Sequence, residues 1–182
     1  MTNEQAFEKI GNEIAEIALI AIKKELMLQG HNMTGNLLES IKYEVKAEAL
    51  KVIIQYSMFD YGMIQNYGVK PDEIKKPFAR PRIEGLKRFV ELRMGKRGKE
   101  AESIAFAIAR KHKDEGMPTD ASKKYSKTGK RTNWIGDGLK EANPKIIEIV
   151  NKIYTEVINV VVINAFVDFT KKDSKNIKVT IR

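Results

Sequence analysis

The chain has 182 residues, no cysteine and a formal net charge of +9. A chain of this length suits one domain that buries roughly 70% of its unfolded surface, so neither a disulfide nor a metal is required for stability. The lack of cysteine excludes a disulfide framework and thiolate metal sites, and it fits a reducing cytoplasm.

The first eight residues, Met1 to Glu8, are acidic and polar, without the basic start of a signal peptide, so no leader is expected. Asn3 to Gln29 reads as one amphipathic helix. Phe7, Ile10, Ile14, Ile17, Ala21 and Leu26 recur at three- to five-residue steps, near the helical period. Gly11 is a mild cost within it or a point of close packing. Gly30 follows the last turn, where a left-handed cap favours glycine.

The stretch "HNMTGNLLESIKYEV", His31 to Val45, comes next. Thr34 is the expected N-cap of a short second helix, with Gly35 allowing a sharp turn and Leu37, Leu38 and Ile41 docking it on the core. Lys42 to Glu48 alternates as a strand, and Lys51 to Ser57, rich in branched residues, is a second. With Ala49 and Leu50 as a tight connection, the two predict a hairpin.

Phe59 to Val69, "FDYGMIQNYGV", reads as a short helix or an irregular crossing. Pro71, Pro77 and Pro81 argue against regular structure before Arg82, from which Ile83, Leu86, Phe89, Val90 and Leu92 predict a helix. Gly95 to Gly98 interrupts it, and Glu102 to Lys113 is helical again. Gly116 to Lys140 is polar, basic and glycine-containing. It reads as a loop or mobile arm, with Trp134 and Ile135 as an anchor at its end. Asn143-Pro144 suits a helix start, and Ile146, Ile147, Val150, Ile153, Tyr154 and Val157 follow with helical spacing. Val157 to Val167 finishes that helix or becomes a strand. At about half a bilayer-spanning length it is read as buried, not as a membrane span. Lys175 to Arg182 alternates as a final strand that would join the hairpin.

These elements predict an α+β fold: a small antiparallel or mixed sheet packed against a long N-terminal helix and further helices, with a basic loop insertion. One domain over 1–182 is expected, with an α/β core at 1–94, a helix and basic loop at 95–142, and a C-terminal helix and strand at 143–182.

Charge is concentrated. Lys87 to Arg131 holds 14 Lys/Arg against 6 Asp/Glu, a net +8 of the total +9. Such a segment attracts phosphate or an acidic surface, unless it is simply a solvated arm. Lys123, Lys124, Lys127, Lys130 and Arg131 are the candidate contact residues, and a basic nucleic-acid-binding module using 122–131 is one functional reading. No recognised nucleic-acid-binding motif accompanies them.

Signs of catalysis are scarce. His31 and His112 stand without a neighbouring carboxylate or second histidine at metal spacing. "SKTGKRT", Ser126 to Thr132, lacks the first glycine of a phosphate loop, having Lys124 there, and has Arg131 where Ser or Thr should follow the lysine. No Gly-x-Ser-x-Gly occurs. No enzymatic activity, cofactor or metal is expected.

The phrase Thr34, Gly35, Leu37, Ser40, Ile41 resembles one found in neck and tail-completion proteins of tailed bacteriophages, where it also follows a long helix and precedes a strand. A second phrase agrees in order and spacing: "NYGV", Asn66 to Val69, then "KPFARPRIEGL" with Pro77, Phe78, Arg80 and Pro81. Together they cover about half the chain; from Gly95 onward there is no such likeness.

The resemblance implies a structural virion protein, made in the host cytoplasm, that closes into a homo-oligomeric ring around the DNA channel. Its neighbours would be portal, connector or tail proteins, with non-specific contact to packaged DNA. Rings arise from head-to-tail contacts that close. Pro77, Phe78, Arg80 and Pro81 would then stiffen an extended arm reaching a neighbouring subunit.

Overall fold

The computed structural model describes residues 3–31, 33–48 and 51–172. By its internal contacts the chain divides into two units, Met1–Ala142 and Asn143–Arg182. The fold is α+β and mostly helical, with one two-stranded antiparallel sheet among the described residues.

The first unit is built on α1 (Asn3–Leu28). Its apolar stripe buries Ala15, Ala18, Leu19, Ala21, Ile22 and Leu26. The helix ends where Gly30 takes φ 74°. There the Gly30 N–H donates to Met27 O and the His31 N–H to Leu26 O, closing the left-handed cap that the glycine foreshadows. A short helix α2 (Asn36–Ser40) follows, and its N-cap is Gly35 at φ 82°, without a side-chain cap. Thr34 is therefore not the cap that the sequence suggests. A left-handed backbone at Gly35 sets the turn, and Thr34 is exposed.

Strands β1 (Lys42–Glu48) and β2 (Lys51–Ser57) pair in the expected hairpin, with Lys42 opposite Ser57, Val45 opposite Ile54 and Glu48 opposite Lys51. Tyr43, Val45 and Ala47 on one strand, and Val52, Ile54 and Tyr56 on the other, are the half-buried positions, as a two-residue period requires. This face lies on α1. A Cβ on Gly11 would come within 2.5 Å of Val45 Cγ1 and 2.6 Å of Val52 Cγ1, so the missing side chain lets helix and hairpin close together. The Tyr56 hydroxyl donates to Ala15 O at 3.0 Å, and the Tyr43 and Tyr56 rings meet edge-on at 6.3 Å. The connection at Ala49 and Leu50 and the expected strand Lys175 to Arg182 lie outside the described residues.

Helix α3 (Asp60–Tyr67) resolves the aromatic crossing as a helix, stopped by Gly68. Val69 then forms an antiparallel bridge with Met117, exchanging hydrogen bonds of 2.7 and 2.8 Å. A single 3₁₀ turn spans Pro71–Glu73. α4 (Arg80–Met94) starts two residues before the expected Arg82, with Pro81 in its first turn. Proline is tolerated there because a first-turn N–H has no helical partner anyway. α5 (Gly98–Glu115) packs along α4, with Ile83, Ala105 and Ala109 buried between them.

The stretch after Gly116 is not a structureless arm. A 3₁₀ segment, Asp120–Tyr125, leads to α6 (Trp134–Lys172). Asn143-Pro144 does not begin that helix; Pro144 lies inside it. The helix starts earlier because its first turn is held in place. Asn133, at φ 60°, accepts the Asp137 N–H through its carbonyl and donates its own N–H to Asn66 O at 2.6 Å. The Asn66 side chain, 4% exposed, accepts the Ile135 N–H at 2.9 Å. Asn66 thus caps α6 from another helix. Replacing Asn66 with alanine will strand that buried N–H and cost about 2 kcal/mol, read as a shift in the urea unfolding midpoint.

In the second unit α6 continues helically to Lys172, through Val157 to Val167, which answers the choice between helix and strand. Pro144 offers no N–H to the helical ladder near its start. Ile146, Ile149 and Ile153 are half-buried. No helix among the described residues is long and apolar enough to cross a membrane.

Candidate functional site

The basic segment is strapped to the C-terminal end of α1. Leu28 O accepts the Lys127 N–H at 2.8 Å and the Ser126 hydroxyl at 3.5 Å. The His31 Nε2–H donates to Arg131 O at 3.0 Å. A Cβ on Gly30 would collide with the Tyr125 carbonyl, so the strap closes onto the helix end only because glycine is there.

The five basic candidates have separate fates. Lys123 pairs with Asp120 at 2.7 Å and Lys130 with Asp137 at 3.0 Å. Lys127 is exposed. Lys124, 5.1 Å above the Tyr125 ring, and half-buried Arg131 line a pocket.

The proline phrase is a compact turn, not an extended arm. The Ala79 N–H donates to Lys76 O at 3.3 Å, and Ala79 caps α4. Phe78 lies 6.2 Å from the ring of Phe106 on α5. Arg80 bonds Glu84 one turn on, at 2.8 Å, while Pro77 is half-buried and Pro81 exposed. Its stiffness serves the start of a helix.

The pocket encloses about 370 Å³. Its apolar wall is Ile64 from α3, Leu86 and Phe89 from α4, Ile108 from α5, and Met117. Its polar side chains are His31, Gln65, His112, Thr119, Ser122, Lys124, Tyr125 and Arg131. The two histidines, 81 positions apart, thus face one cavity. Sequence reasoning missed this. Each lies alone in a polar phrase, and nothing in their spacing predicts that α5 and the end of α1 share a wall.

Both imidazoles are neutral at neutral pH. Burial holds His31 down to about 4, helped by the Arg131 charge and opposed by the hydrogen bond to the Arg131 carbonyl. Burial likewise lowers His112 to about 4, with the Arg82 guanidinium adding to it. Arg82 Nη2 donates to His112 Nδ1 at 3.2 Å and to Met117 Sδ at 3.3 Å. These partners fix the tautomers: both rings carry the proton on Nε2.

The Ser122 hydroxyl donates to Thr119 O at 2.6 Å. Among the described residues no Asp or Glu lines the cavity. Among the described residues no group of three or more His, Asp or Glu could hold a metal ion.

No protein-family model matches the chain, and neither a curated protein nor a solved structure shows significant similarity to it.

Proposed function

We propose that the chain is a structural virion protein of the neck or tail-completion type. Copies of it close into a ring that joins the head of a tailed phage to its tail, and it performs no catalysis. The observation that carries this reading is the uncovered apolar surface of α3 and its approach. Phe59 is 52% exposed, Ile64 50% and Tyr67 74%, with Tyr61 stacked on Phe59 at 5.8 Å. A run of exposed aromatics on one short helix is what a protein interface uses.

Two further features support it. Among the described residues β1 and β2 form a two-stranded hairpin, an element to which a neighbour's strand can add. The phrases around Thr34-Gly35 and Pro77-Phe78 occur in the order long helix, short helix, hairpin, helix, helix. The ion pairs of Lys123 and Lys130 favour protein contact over a phosphate-gripping role for the basic strap, because two of its cations already have carboxylate partners.

The test is peptide mass spectrometry, with copy counting, on density-purified phage particles from the host carrying this coding sequence. A ring-like count of about six or twelve copies per particle is the expected result. Absence from intact particles overturns the reading. In that event the nucleic-acid alternative predicts DNA binding that weakens steeply with salt, about one counterion released per phosphate contacted.

A further inference from the structure

The geometry points to a ligand for the pocket between α3, α4, α5 and the basic strap: a small amphipathic organic anion, a carboxylate carried on an apolar body. The inference rests on the pocket alone and is independent of the virion reading.

Size comes first. About 370 Å³ is at the lower end of the range of small-molecule pockets, enough for a medium-length acyl chain or a single substituted ring. The wall of Ile64, Leu86, Phe89, Ile108 and Met117 offers such a body the apolar contact that drives transfer from water.

Charge decides the head group. Lys124 and Arg131 both line the cavity, and among the described residues no carboxylate does. Burial lowers the proton affinity of Arg131, and the Arg93 charge adds to that effect. Lys123 and Lys130 of the same strap have carboxylate partners, whereas Lys124 sits over the Tyr125 ring and Arg131 lies beside the neutral His31 imidazole. An incoming carboxylate supplies a counter-charge that no described lining residue provides, through charge-assisted hydrogen bonds, the stronger kind. A cationic ligand would meet only repulsion. A neutral one would gain the apolar wall and nothing from the rim.

The experiment is isothermal titration calorimetry of the full chain with three probes sharing one apolar tail: octanoate, octan-1-ol and octyltrimethylammonium. Octanoate is expected to bind saturably with one site per chain, at least tenfold more tightly than octanol, with no binding of the ammonium. Lys124 is exposed, so Lys124→Gln leaves the fold intact by circular dichroism; it should weaken octanoate about fivefold and leave octanol unchanged. Ala121→Trp, at an exposed position on the cavity lining, should abolish binding of both. Equal affinity for octanoate and octanol overturns the anion assignment, as does an unchanged octanoate affinity in Lys124→Gln. Octanoate binding undiminished by Ala121→Trp, or no saturable binding in the millimolar range, overturns the site. One octanoate per two chains, with a dimer by light scattering, also overturns it and assigns the cavity to a contact between copies.

Discussion

Trp134→Ala will destabilise the protein by about 3–5 kcal/mol, the cost of truncating a large aromatic in a core. Trp134 is fully buried and is the largest such side chain. It packs with Leu19, Ile22 and Leu26 of α1 and with Leu37 and Ile41 beside the hairpin, so it joins three elements at one point. Its position also sets the start of α6. Four residues on, Gly138 lies so close to α1 that a Cβ there would come within 2.7 Å of Ile22 Cα. The first turns of α6 therefore rest backbone to backbone on α1, and a cavity at Trp134 cannot be filled by drawing the helices closer. Relaxation is blocked, which places the loss toward the upper end of the range. Among the described residues the Trp134 Nε1–H has no hydrogen-bond partner. Trp134→Phe therefore removes an unpaired donor along with some volume, and should cost less than half as much as alanine. Urea unfolding followed by far-ultraviolet circular dichroism measures both variants. A loss below about 1 kcal/mol for alanine would show that this residue does not anchor the core.

What was legible in the sequence was whatever depends on neighbours along the chain. The period of Ile10, Ile14, Ile17 and Ala21 marks α1, the alternation from Lys42 and from Lys51 marks the hairpin, and Gly30 marks the helix end. Each follows from local geometry, which pattern reports directly. The misreadings have a common cause. Asn143-Pro144 carries a correct local signal for a helix start, yet α6 begins at Trp134, because Asn66 caps it from a helix nearly seventy residues away and Trp134 is buried. Thr34 is a good cap by type but yields to the left-handed turn at Gly35. The polar stretch after Gly116 reads as a loop because its restraints, the bonds of Ser126 and Lys127 to Leu28 O, are long-range. The pocket was illegible for the same reason. Its walls come from α3, α4, α5 and the strap, and no short window contains more than a fragment of it.

Acid will destabilise the protein between pH 6.5 and about 4, and His31 and His112 together will account for about 3 kcal/mol of the loss. In the unfolded chain both titrate near 6.5; in the fold each is held to about 4, chiefly by burial. Below pH 6.5 the unfolded chain takes up protons that the folded chain refuses, so stability falls as pH falls. The contribution is complete above pH 6.5 and gone once the pH passes below about 4. A shift of that size corresponds to about 3 kcal/mol per group in full, and solvent screening at half-buried sites reduces it to about 1–2 each. The groups facing the rings give no relief. His31 meets Arg131 and shares the cavity with Lys124 and Tyr125, while His112 meets Arg82, so no carboxylate is placed to hold an imidazolium. The double variant His31→Gln, His112→Gln isolates the effect, because the carboxylates titrate alike in both proteins. Between pH 7.5 and 4.5 its urea-derived stability should fall by about 2 kcal/mol less than that of the unaltered protein. Imidazole proton resonances should titrate below pH 5 in the fold. Titration of both rings near 6.5, with equal acid sensitivity of the two proteins, would show that the cavity does not enforce neutral histidines.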